Sequence, residues 1–154
     1  MFESCRSPHE SAHLLRVRYG IPVELFADRP YLTVGRAVEA IGLPQRLGRH
    51  VRDQLAGLPA TPAVADPRGR NWWFLVAPPT PYHAVPQRLL GRLRAHGVTV
   101  PAVGGKVMLP VSDYRLGWHW ACEPEPGRLS LPHRAMVLNA ARSAILRGAD
   151  HVPA

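Results

Sequence analysis

The chain reads as a single α+β domain, with a mixed or antiparallel sheet of short strands and flanking helices. Three observations point there. Seventeen Pro and 13 Gly in 154 residues cut the chain into many short elements and argue against a helical bundle. Hydrophobic residues make up 46% and charged residues only 19%, enough apolar surface for a core and too much for a disordered tail. Apolar spacing is helical in residues 44–58 and 132–146 but strand-like in residues 63–76 and 118–122. The expectation is one domain over residues 1–154, with flexible ends at 1–6 and 148–154.

The first helix, about residues 8 to 18, opens at Ser7-Pro8-His9-Glu10: Ser7 caps, Pro8 suits the first turn and Glu10 completes a capping box. Tyr19-Gly20 stops it, Ile21 to Phe26 reads as a strand beside Pro22, and Ala27-Asp28-Arg29-Pro30 as a turn. Tyr31 to Val34 reads as a short strand or as the lead into a helix capped by Thr33. Because Val34, Ala37, Val38 and Ile41 fall on one helical face, the helix is favoured. After Gly42-Leu43-Pro44, Leu47, Val51 and Leu55 recur every four residues with Arg46, Arg49, Arg52 and Asp53 outward, an amphipathic helix to about Leu58. Two short helices around Gly-Leu-Pro are also the outline of a helix-turn-helix.

Ala63-Val64-Ala65, a turn through Pro67 and Gly69, and Trp72 to Val76 form a β-hairpin whose second strand is buried on both faces. A helix over 84 to 95 turns Val85, Leu89, Leu90 and Leu93 inward. Short strands follow at Val98 to Val100, Lys106 to Leu109 and Trp118 to Cys122. A last helix, about Pro132 to Leu146, carries Met136, Val137, Ala140, Ala144 and Ile145 on its buried side.

Charge narrows the function classes. Eighteen Arg and one Lys against 11 acids leave a formal net charge of +8, which favours partners bearing phosphate or carboxylate groups, although GC-rich coding also enriches Arg. Cys5 and Cys122 lack C-x-x-C spacing and are expected as free thiols. No apolar run approaches the ~18 residues of a membrane span, and Met1 to Arg6 has no apolar signal core, so a cytoplasmic location without membrane contact is expected.

Catalytic chemistry finds little support. The only acid-x-acid pair, Glu123-Pro124-Glu125, sits in a Pro/Gly loop. His9 and His13 share helical spacing but lie on an exposed end, and Ser112, Ser130 and Ser143 lack a nucleophile-elbow setting. No phosphate-cradling Gly-x-x-x-x-Gly-Lys loop occurs. What remains is aromatic and basic: Trp72, Trp73, Trp118 and Trp120 on two strands near Arg68, Arg70 and Arg115, the residue types single-stranded nucleic acid binding uses.

The order of motifs resembles the bifunctional primase-polymerase domain of plasmid, phage and bacterial replication proteins. Leu14 to Val23 is similar to its opening helix and Gly-x-Pro-Val strand, and Thr61 to Phe74 to its Pro-Thr-x-x-Thr-x-x-Gly-Gly-x-His-x-Tyr-Phe hairpin. Gly97-Val98-Thr99-Val100 through Gly104-Gly105-Lys106-Val107-Met108 to Pro110-Val111-Ser112 resembles the family's Gly-Val-Asp-Val, Gly-Gly-Tyr-Val-Val and Pro-Pro-Ser run, followed by Trp118-His119-Trp120. Together these cover about two-thirds of the chain. The family's metal-binding acid pair corresponds to Leu32 to Arg36, which has no acid; its catalytic histidine falls on Asn71 and its third acid on Thr99. Neutral amide and hydroxyl groups do not hold the Mg²⁺ ions of a phosphoryl-transfer site.

The resemblance therefore implies a catalytically inactive primase-polymerase-like domain without metal or cofactor, acting as a nucleic-acid-binding or regulatory protein on DNA or RNA. Arg68, Arg70, Asn71 and Arg115 would lie at the old site, with Trp72 or Trp120 stacking on bases. A protein-docking module using the basic helix 44–58 is the alternative, followed by an enzyme rebuilt around His119, Glu123 and Glu125. The family reading also requires Asn71, Thr99 and residues 32–36 to converge on one concave surface.

Overall fold

A computed structural model describes residues 1–57 and 60–149. Among the described residues the fold is α+β, with four α-helices and two antiparallel sheets of short strands. Helix α1 (Pro8–Tyr19) starts at Ser7, whose Oγ accepts from the Glu10 amide at 3.2 Å, and ends at Gly20, where φ of 66° is open to glycine at little cost. Strands β1 (Glu24–Phe26) and β2 (Arg29–Thr33) form a hairpin closed by Phe26 opposite Arg29. Its two turn residues, Ala27 and Asp28, both have positive φ, the geometry that matches the right-handed twist of the strands. A third strand, β6 (Lys106–Met108), pairs with β2 on the other side.

The larger sheet runs β3-β5-β4-β7, with β3 (Glu39–Pro44), β4 (Ala63–Ala65), β5 (Asn71–Val76) and β7 (His119–Cys122). Side chains alternate across it. Ile41, Leu43, Trp72, Phe74 and Val76 enter one core, shared with α2 (Gln45–Gln54), α3 (Gln87–Ala95) and α4 (Arg134–Ala149). Ala40, Val64, Leu75 and Trp120 enter a second core with Ala12, Leu15 and Tyr19 of α1 and Leu32 and Val107 of the small sheet. The domain is thus three layers: helices, the four-stranded sheet, then α1 beside the three-stranded sheet.

The structure departs from the sequence reading in several places. The helix favoured after Tyr31 is absent: β2 ends at Thr33, a turn follows in which the Gly35 amide donates to Val38 O at 2.9 Å, and β3 begins at Glu39. A strand buried on both faces is a continuous apolar run, and its spacing does not separate it from a buried helix. With β3 in place of the first helix, the helix-turn-helix outline falls. The strand expected over Ile21 to Phe26 is regular only from Glu24, and that at Val98 to Val100 is a single antiparallel bridge of Thr99 to Gly42. In α4 Met136 is exposed, while Leu138 and Ala141 are buried with Val137, Ala140 and Ala144. The segment 1–6, expected as a loose end, packs through Phe2, 4% exposed, whose amide donates to Asp113 Oδ2 at 2.8 Å. Leu58, within the helix expected to about that residue, and 150–154 lie outside the described residues.

Candidate nucleic-acid interface

The hairpin turn between β4 and β5 carries Arg68 and Arg70 exposed to solvent. Asp66 organises it: its carboxylate accepts from the Arg70 amide at 2.8 Å, from the Asn71 amide at 3.2 Å and from Asn71 Nδ2 at 3.1 Å. The Asn71 side chain therefore locks a turn. Asn71 and Thr99 share one face of the four-stranded sheet on either side of β3, because Thr99 lies opposite Gly42, Gly42 opposite Trp73, and Asn71 two residues before Trp73. Residues 32–36 belong to the other layer. There Leu32 and Val34 are buried, and Val34 exchanges hydrogen bonds with Gly104 and Gly105 at 2.8 and 2.9 Å.

Burial leaves little ring surface for the stacking expected of Trp72 and Trp120. Trp72 is 6% exposed, with Gly48 of α2 packed against its ring and the Arg52 guanidinium 5.7 Å from its centroid. Trp120 is 9% exposed in the opposite core. Neither offers a ring face to a base. Their neighbours are the more open pair: Trp73 and Trp118 are half-buried, and the Trp73 ring lies over Gly42, where an added Cβ would stand 2.8 Å away.

Arg115 is exposed on the loop before β7 and lines a cavity of about 130 Å³ with Asp113, His119, Trp120 and Glu123. His119 Nδ1 donates to Gly117 O at 2.9 Å. Of the three residues considered for a rebuilt enzyme site, His119 and Glu123 meet in this cavity, and Glu125 is exposed on the loop beyond it. Among the described residues no three His, Cys, Asp or Glu side chains gather in a way that would hold a metal ion. A separate cavity of about 280 Å³, between α2 and the sheet, is lined in part by Arg52, Asp53, Phe74 and Cys122. Burial pushes the Cys122 thiol pKa up, Arg52 opposes that and Asp53 adds to it.

The positive charge sits elsewhere. Within their bounds α2, α3 and α4 each carry three Arg, and Asp53 is the one acid among them, so these helices hold the whole formal charge of +8. The other ten basic residues of the chain are matched by ten acids. Arg52 donates to Asp53 at 2.9 and 3.0 Å, and Arg134 lies 3.6 Å from Glu39. Arg46, Arg49, Arg88, Arg92, Arg94, Arg142 and Arg147 are exposed. α4 packs on both α2 and α3, and its C-terminal half borders two cavities of about 410 and 250 Å³ that share His96 and Ile145. Sequence reading found the α2 arginines but missed those of α3 and α4, although Arg88 and Arg92 stand four apart beside the inward leucines, a readable cationic stripe.

No membrane-length apolar helix occurs among the described residues. Comparison with protein-family models, with curated proteins and with solved structures finds no match for this chain.

Proposed function

We propose that the chain is a nucleic-acid-binding domain on a primase-polymerase-like scaffold that does not carry out nucleotidyl transfer, and that it binds through the layer formed by α2, α4 and α3. The observation that carries this reading is the charge distribution: the entire net +8 lies on one layer, with seven exposed arginines. Phosphate neutralisation supplies most non-specific affinity for nucleic acid, so the binding surface follows the uncompensated cations. Near the hairpin, Arg68, Arg70 and Arg115 stand among Asp66, Asp113 and Glu123, which weakens the field there. The likeness to a primase-polymerase domain rests on the order of the sequence motifs, with Asn71 and Thr99 on one sheet face and residues 32–36 in the other layer, and the lack of catalysis rests on the neutral side chains at Asn71 and Thr99.

Anisotropy of a labelled single-stranded oligonucleotide, titrated with the full chain across a salt series, tests the reading. About six phosphate contacts give a slope of log affinity on log salt near −4. A slope near zero, or no binding at about 50 mM salt, contradicts it. Primer extension with Mg²⁺ or Mn²⁺ and nucleotides would contradict the non-catalytic part.

A further inference from the structure

Resting on that reading, we infer that the groove between α2, α3 and α4 is a base-accepting channel, so that the nucleic acid bound is single-stranded with its bases unstacked. The two cavities that share His96 and Ile145 run together along the C-terminal half of α4. Their rim carries three cations, Arg46 from α2, Arg92 from α3 and Arg142 from α4, with His50 of α2 and His96 just after α3 also lining it and no carboxylate among the described lining residues. Their floor is aliphatic, made by Leu47, Leu89, Leu93, Ile145 and Leu146. Leu146 is 55% exposed, an apolar surface left open on the most cationic layer of the molecule.

The two chemistries demand one occupant. Cations at the rim fit a phosphate chain, while an aliphatic floor gains nothing from phosphate and is stabilised only when something apolar displaces its water. A duplex keeps its base faces stacked inside, so a groove in the protein meets its sugar-phosphate backbone and base edges but no base face. A single strand offers both: phosphates spaced along the rim and base faces that leave water on entering the groove. The floor lacks aromatic rings, so the preference is set by apolar burial and tolerates any base.

Binding by the full chain is compared for an oligothymidylate, an abasic strand of equal length and charge, and a duplex. The oligothymidylate is expected to bind roughly tenfold tighter than the abasic strand and tighter than the duplex at equal salt. Leu146→Gln and Leu89→Gln, which keep the charge and lie on exposed or half-buried positions, should remove that preference while leaving the abasic strand bound as before; circular dichroism confirms that both fold. Equal affinity for the abasic strand and the oligothymidylate, or tighter binding of the duplex, overturns the channel while the basic layer still stands. Indifference of every affinity to Arg46→Glu, Arg92→Glu and Arg142→Glu combined overturns the layer itself. An acidic amphipathic helical peptide that outcompetes the oligothymidylate also overturns the channel, because the groove is then built for a protein helix.

Discussion

Glu39 shows how single residues divide the structure from its sequence. It is a buried acid at the start of β3, with its carboxylate 3.6 Å from Arg134 Nη1 at the start of α4. Removing one partner strands the other charge in the interior, so Arg134→Met is expected to cost about 3 kcal/mol. Adding Glu39→Leu should recover most of that; denaturant midpoints of the two variants decide it. At Gly42 an added Cβ meets the Trp73 ring, and Gly42→Ala should lower stability by about 1–3 kcal/mol with a shift in tryptophan emission. Cys122 links stability to alkaline pH. Its folded pKa is raised, so above the unfolded thiol value of about 8.5 the unfolded chain holds fewer protons than the folded one, and stability falls with rising pH. Cys122→Ala should flatten part of that fall in a thermal-melt series. The choice between adjacent tryptophans was not legible in the sequence: with both sheet faces buried, alternation places Trp72 and Trp73 on opposite sides but does not say which core covers its ring more fully.

At the scale of elements, capping and turn chemistry were legible and spacing was ambiguous. Ser7 caps α1, Gly20 ends it, and the β4–β5 hairpin forms where its Pro and Gly turn lies. Glu10 departs slightly from a capping box, reaching the Arg6 amide at 2.6 Å instead of the Ser7 amide. The miss at residues 34–41 is physical: Val38 and Ala40 feed one core and Ile41 and Leu43 the other, and a segment buried on both faces fits either period. The β1–β2 turn shows the opposite case, a geometry that its residues disfavour. Ala27 holds φ of 48° with a Cβ that glycine would not have. Ala27→Gly should therefore stabilise the chain by about 1 kcal/mol, raising the melting temperature by roughly 2–4 °C.

For the molecule as a whole, the three-layer arrangement turns a composition into a direction. Net charge is legible at once in the sequence, but its address is not, because the arginines of α2, α3 and α4 are separated by up to a hundred positions and meet only when these helices line up on one side of the sheet. Sequence reasoning placed the expected interface at Arg68, Arg70, Asn71 and Arg115, with Trp72 and Trp120. The interface proposed from the charge distribution lies on the far side of the sheet. The test that separates the two addresses most directly is single-stranded oligonucleotide affinity at fixed salt for two charge-reversed proteins, Arg46→Glu with Arg92→Glu and Arg142→Glu, against Arg68→Glu with Arg70→Glu and Arg115→Glu. Binding in the helical layer predicts loss of about two orders of magnitude or more in the first and a small change in the second. The reverse ranking, or equal losses in both, would contradict it.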